Sequence, residues 1–459
     1  MARRSGRDLL GWFTFLMSHR VAGQGRMHQA PQNSVSRDTQ PEEHTRWNFA
    51  IITTEASAFM SGIAWTDPAT VLPLFIGLVF PSTILIGLVT VLQRLGWILP
   101  QLPMAAIVGH RPQRLPYLRW GVFVGRLPLL AFVLYLWFKG VGSPPAVILF
   151  MLLAYFSVAL GNGVVAVPWQ DIIAKSIPGR IRGRFFGTMQ FITAVATIGV
   201  GFVVRWMLGP RGPHFPINYT ILFTLAAFFI TISTVGCWLV REPIRPVLDR
   251  PQSLRNLLGN VRPLLRKEPS LLVLSVVALL GFGLSATTPF YIVYGTTRLG
   301  VQAQAAGVYI WAATLGSASF SLIWAHLNDR FGPRAVVRGA CLCAALAPAL
   351  ALAIPAVVSV PSPVLAYVFG LVFLVAGATL AGMWMGTNNY LLELATHQER
   401  PRYIAVFNTL ALPGATMPLL IGWLLSFTPF RPVFALLLAC GAAAVYLSWR
   451  MPLPHLRHP

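Results

Sequence analysis

The chain has 459 residues, of which 56% are hydrophobic and only 10% charged, a balance too apolar for a soluble domain of this length. A net charge of +22 invites a nucleic-acid reading, but most of the 35 Lys and Arg sit in the tails and in alternate gaps between apolar stretches, which argues against that partner. The four cysteines (Cys237, Cys341, Cys343, Cys440) lie in apolar runs without metal-ligand spacing and read as packing thiols.

Residues 1–46 form a polar, basic tail with one short apolar run, Leu9 to Met17, that reads as an interfacial amphipathic or disordered segment rather than a signal peptide. Met27 offers a second possible start. From there apolar stretches of membrane-crossing length recur: 48–66, 81–108, 117–138, 146–168, 186–208 and 218–240, then 270–294, 303–326, 335–357, 362–387, 403–426 and 431–449. The intervening segment carries Arg241, Arg245, Arg250, Arg255, Arg262, Arg266 and Lys267, with Pro243, Pro246 and Pro251 blocking a continuous helix early in it, and reads as a linker between two halves. The domains are therefore a 1–46 tail, a 47–241 bundle, a 242–269 linker, a 270–450 bundle and a 451–459 tail. The expected fold is an all-α polytopic membrane protein with twelve spans in two six-helix bundles. Basic residues in the even gaps place both termini in the cytoplasm, against the anionic inner leaflet of the plasma membrane.

Three ionisable side chains fall deep in these spans: Glu55, Arg94 and Arg126. Each costs at least about 2.5–3.5 kcal/mol at the bilayer centre, so each should be paired or face water. Antiparallel neighbours bring Glu55 and Arg94 to one depth, with Arg126 near it. The group reads either as a proton or cation site whose protonation frees Arg94 for an anionic or polar substrate, or as a fixed internal salt bridge. Gln93, Trp97 and Gln101 share a stripe with Arg94. Gln190 and Thr193 on the fifth span, Thr287 and Tyr291 on the seventh, and Asn408 on the eleventh extend the candidate cavity, although Tyr291 and Tyr294 also suit an interfacial belt. Pro100, Pro103, Pro289 and Pro413 mark possible kinks.

No P-loop, no G-x-S-x-G elbow and no carboxylate pair at one depth occurs, so neither ATP-driven transport nor an intramembrane enzyme is expected, and no cofactor or metal is implied. An internal repeat joins Trp169-Gln170-Asp171 … Arg182-Gly183-Arg184 … Gln190 to Thr387-Asn388-Asn389 … Arg400-Pro401-Arg402 … Asn408, as in transporters built from two related halves.

The loop Ala325-His326-Leu327-Asn328-Asp329-Arg330-Phe331-Gly332-Pro333-Arg334 resembles the G-x-x-x-D-R-x-G-R-R loop of the major facilitator superfamily, with Ala325 at the usual first glycine. The first-half copy, Gly109-His110-Arg111-Pro112-Gln113-Arg114, keeps the basic residues and lacks the Asp. The resemblance implies a rocker-switch secondary transporter of a small organic solute, monomeric, with spans 1, 4, 7 and 10 around a cavity, and protons as a candidate coupling ion. It also implies a cytoplasmic gate at Asp329, Arg330, Gly332 and Arg334, with Asp171, Arg182 and Arg184 as its first-half counterpart. The peripheral place of the third span makes Arg126 more structural than functional. A facilitator-fold assembly factor or ligand sensor that moves nothing is the competing reading.

Overall fold

In hydrocarbon no water is available to backbone amides, so each crossing segment must bond its own N–H and C=O groups, and the helix does this. A computed structural model describes residues 42–108, 111–243, 261–358, 363–395 and 399–452. The tail before residue 42, with Met27, lies outside the described residues, as do Gly109, His110 and most of the linker.

The first half contains α1 (Glu42–Trp65), α2 (Val71–Val79), α3 (Thr83–Ile98), α4 (Gln101–Val108), α5 (Leu115–Lys139), α6 (Pro144–Ser176), α7 (Gly179–Met207) and α8 (Ile217–Leu239). After a short α9 (Val261–Lys267) come α10 (Pro269–Ala286), α11 (Pro289–Arg298), α12 (Ala305–Phe331), α13 (Pro333–Val357) and α14 (Pro363–Leu394). The chain closes with α15 (Arg400–Ala411), a 3₁₀ turn (Leu412–Thr416), α16 (Met417–Leu424) and α17 (Phe430–Trp449).

Among the described residues ten helical segments are long and apolar enough to cross a membrane, where the sequence suggests twelve. Both shortfalls have local causes. The helix α1 carries Asn48, Thr53, Thr54, Glu55, Ser57 and Ser61 within its apolar part, which dilutes its hydropathy. The second expected span is cut at Leu99–Pro100 into a 16-residue α3 and an 8-residue α4. Of the other kink candidates, Pro289 starts α11 and Pro413 lies in the 3₁₀ turn, each at a break.

Residues 71–79 lie outside every span expected from the sequence, yet form α2. The turn before it is fastened by Asp67: Thr70 Oγ1 donates to its Oδ2 at 2.7 Å and Leu72 N–H to its carbonyl at 3.1 Å. The second half repeats the device, with a break at Thr287–Thr288 between α10 and α11.

Lipid tails give apolar helices no hydrophobic reason to associate, so close backbone contact does the work. A Cβ on Gly125 of α5 would run into the Cα of Gly161 on α6, so glycine is what lets these two helices touch. Aromatic groups fill what remains: Phe223 packs edge-on against Phe75 and Phe132 in the first half. In the second, Tyr309 stacks on Phe373 with ring centres 4.3 Å apart.

The side on which the described chain begins (Glu42) and ends (Pro452) is called here the tail face, and its opposite the far face. The two halves meet through α3 with α16, α7 with α12, and α2 with α11, and α3 also touches the 3₁₀ turn and α11. Thr83 Oγ1 donates to the Gly422 carbonyl at 2.6 Å, and Gly87 abuts Pro418. Gly201 and Gly307 meet backbone to backbone. Beside them Trp311 Nε1 donates to the Ile198 carbonyl at 2.9 Å, and Arg205 Nη2 to the Tyr367 hydroxyl at 2.7 Å.

Candidate functional site

Glu55 is buried on α1, where the missing side chain of Gly236 on α8 gives its Cβ room. Its carboxylate is held by two donors: Trp169 Nε1 reaches Oε2 at 2.9 Å and Ser233 Oγ reaches Oε1 at 2.8 Å. Three helices, α1, α6 and α8, thus converge on one carboxylate.

Arg126 on α5 is buried beside it. Its Nη1 donates to the Ile230 carbonyl at 3.1 Å and to Thr234 Oγ1 at 2.8 Å, and the guanidinium lies 5.3 Å from the Phe59 ring centre. It interacts electrostatically with Glu55 without an ion-pair contact. The same-depth pairing of Glu55 with Arg94 does not form: Arg94 on α3 makes no hydrogen bond or ion pair among the described residues. Equal depth is not enough, because α3 points that side chain elsewhere.

A cavity opens beside Glu55, lined also by Met60, Trp97, Arg126, Asn162, Trp169 and Thr193. A second, farther from the tail face, adjoins it and is lined by Thr66, Pro68, Gln93 and Tyr155. The two share Phe59, Met60, Trp97 and Asn162, which makes them one apolar-walled space with polar ends. Thr193 Oγ1 bonds Ser57 Oγ at 3.2 Å, tying α7 to α1 along that wall.

Of the other expected cavity residues, Gln101 bonds back to the Trp97 carbonyl at 2.9 Å. Gln190 and Asn408 are exposed and line neither cavity. Thr287 and Tyr291 are enclosed in the second-half core: the Thr287 hydroxyl donates to the Leu284 carbonyl at 2.7 Å, and the Tyr291 ring packs 5.1 Å from Phe434. Tyr294 is buried with them rather than belted at an interface.

On the tail face the first-half gate residues form a different network from the one expected. Asp171 pairs with Arg114 at 2.5 Å and with Lys175 at 2.7 Å, not with Arg184, which is exposed. Lys175 bridges on to Glu242 at 3.1 Å. The second oxygen of Glu242 accepts the Arg114 and Leu115 amides at 2.8 and 2.7 Å, a carboxylate placed where the α5 dipole favours it. Arg182 bonds the carbonyls of Ala174 and Ile177, closing the end of α6.

In the second half Asp329 is exposed and makes no hydrogen bond or ion pair among the described residues. Arg330 lies over the neighbouring Phe331 ring. Gly332, at φ 78°, ends α12 and turns the chain as only glycine does easily. Arg334 reaches the Trp449 carbonyl at 3.1 Å at the end of α17.

Several residues of the site carry no obvious sequence signal. Ser233 and Thr234 look like ordinary span hydroxyls, and Trp169 stands out only in the repeat. Asp67 falls one residue past the first expected span. Asn162, a lone amide within an apolar run, is the one a polar-residue scan of the fourth span would find.

No group of three or more His, Cys, Asp or Glu side chains suited to a metal occurs among the described residues. Helices of this length and hydropathy, packed around buried polar groups, define an integral membrane protein. The chain belongs to the Major Facilitator Superfamily, whose family model matches residues 54–371 and 296–459. Among solved structures it is similar to a mutant form of the nucleoside transporter NupG (TM-score 0.65, 14% identity, covering 87% of this chain and 99% of that one). It is also similar to a bacterial homologue of the iron transporter ferroportin in an inward-facing state (0.64, 14%, 90% and 99%). A third is a bacterial homologue of the human lysosomal transporter Spinster, inward-facing and occupied (0.62, 15%, 88% and 96%). No match is found among curated proteins.

Proposed function

We propose that this protein is a secondary active transporter that moves a small organic solute across the cytoplasmic membrane by alternating access, with both tails in the cytoplasm and Glu55 as a proton-coupling group. The observation that carries the reading is the asymmetry between the faces. Among the described residues the hydrogen bonds and backbone approaches between the halves lie toward their far-face ends, at Thr83–Gly422, Gly87–Pro418 and Gly201–Gly307, while the exposed Asp329 makes no bond on the tail face. This is how a rocker-switch carrier looks when open to the cytoplasm. Closure of the tail face would bring Asp329 to the helix ends of the opposite half, where a carboxylate is stabilised.

Glu55 suits a coupling role because its protonation changes two contacts at once. Charged, it accepts from Trp169 and Ser233 and balances Arg126. Neutral, it must donate through one oxygen, so one of those bonds is lost and Arg126 loses its counter-charge. Protonation therefore loosens the joint between α1, α6 and α8, the helices that surround the first-half cavity. Substrate and proton would be linked through the shared wall of Met60, Trp97 and Asn162.

The test is solute counterflow and proton-driven uptake in liposomes containing only this protein. Transport predicts vectorial flux, with Glu55→Gln keeping counterflow and losing the pH-gradient drive. Wild-type protein that binds solute without flux would instead mark a sensor.

A further inference from the structure

We propose that Arg94 is the substrate-charge receptor of the transport path, and that the cargo is a small organic anion bearing a carboxylate, phosphate or sulfonate group. The inference rests on the transport reading and gives it a substrate class.

The two mid-span arginines of the first half are treated oppositely by the fold. Arg126 is satisfied by protein: a carbonyl, a hydroxyl, an aromatic face and the nearby charge of Glu55. Arg94 has none of these among the described residues. The membrane-embedded carboxylates of the first half are already engaged, Glu55 by Trp169 and Ser233, and Asp67 by Thr70. Yet the guanidinium nitrogens of Arg94 are not sealed off, since none is a buried polar atom lacking a partner. The side chain is half-buried rather than enclosed.

Helix geometry says which space. Thr83 and Gly87 touch the second half, and Arg94 lies seven residues beyond Gly87, two turns along the same face and about 10 Å nearer the tail face. That position lies on the tail-face side of the Thr83 and Gly87 contacts. Its neighbours Gln93 and Trp97 line the first-half cavity. Arg94 therefore stands beside the cavity wall, on the face of α3 that turns toward the second half. An arginine without a partner at such depth is costly to keep. Its planar fork matches a two-oxygen anion, and Trp97 one turn away offers a face for an apolar or ring portion of the same molecule.

The experiment uses the full-length protein in lipid-free neutral detergent, which separates a soluble anion from a lipid headgroup. Thermal shift would be measured with benzoate, succinate and glycerol 3-phosphate beside their uncharged analogues benzamide, succinamide and glycerol. At least one anion should raise the melting temperature while its neutral analogue does not, and Arg94→Gln should weaken that binding by about 30-fold or more. Arg94→Lys, which keeps the charge and loses the fork, should bind at intermediate strength with an unchanged ligand-free melting temperature; it decides the matter if the Gln variant fails to fold. Equal binding by wild type and Arg94→Gln, or stabilisation by none of the three anions, overturns the proposal. Flux separates the two readings. Anion binding without counterflow in liposomes removes the transport reading and keeps the receptor. Counterflow of a neutral solute that is indifferent to Arg94→Gln does the reverse.

Discussion

Trp169 and Glu55, 114 residues apart in sequence, are joined by an indole N–H to carboxylate bond of 2.9 Å. The bond couples the tail-face end of α6 to the middle of α1. Two residues beyond Trp169 the same helix presents Asp171 to Arg114 and Lys175. A change in the charge of Glu55 is therefore felt one turn from the tail-face ion network.

Glu55→Gln should fold, because the amide keeps one acceptor and the side-chain volume. The cost is about 1–3 kcal/mol, since the amide NH₂ now faces a donor and one buried bond is lost. Proton-driven uptake in liposomes should disappear while counterflow survives. Uptake that stays equally responsive to a pH gradient would remove Glu55 from the coupling.

Trp169→Phe isolates the indole bond from the packing. It should cost about 1.5–3 kcal/mol, because the buried carboxylate of Glu55 loses a donor, and should alter proton-driven uptake more than counterflow. Uptake and counterflow measured side by side on the variant read this directly.

Arg126→Leu removes a buried cation that three protein groups hold. It leaves Thr234 Oγ1 without its donor, takes one of two side-chain donors from the Ile230 carbonyl, and leaves Glu55 without its balancing charge. Destabilisation of about 2–4 kcal/mol is expected, seen as a lower melting temperature without ligand. Arg94→Gln should lack this penalty, since no protein bond is broken.

Glu242→Gln should cost more than Asp329→Asn. Glu242 caps α5 and pairs with the nearly enclosed Lys175, so losing its charge is worth about 1–3 kcal/mol. Asp329 is exposed and unbonded here, so its substitution should leave the stability within about 0.5 kcal/mol of wild type. If Asp329 closes the tail face in turnover, its effect should appear in transport rate alone.

Depth is legible in the sequence and direction is not. A residue's depth follows from counting along a span at 1.5 Å per residue, so Glu55, Arg94 and Arg126 stand out by position alone. The direction of a side chain turns by about 100° with each residue, so a small error in helix phase or a kink sends it to another neighbour. Hence Arg126 rather than Arg94 lies by Glu55. The family is legible because the Asp329–Arg334 loop is a local pattern with a fixed turn at Gly332. The tail-face partners are not, because Glu242 meets Lys175 and the start of α5 only after six crossings have been packed. Helix α2 is hidden in the sequence because the turn at Asp67 looks like the end of a span.

The Gly201–Gly307 contact makes the far-face joint one of shape. Backbone meets backbone there, helped by the Thr83 and Trp311 bonds to carbonyls. The tail face of the first half, in contrast, is fastened by Asp171, Arg114, Lys175 and Glu242. Ionic strength therefore acts more on the ion pairs of the tail face than on the backbone contacts of the far face. Opening the far face is a matter of steric volume, which salt leaves alone, and a single methyl group on either glycine would wedge it.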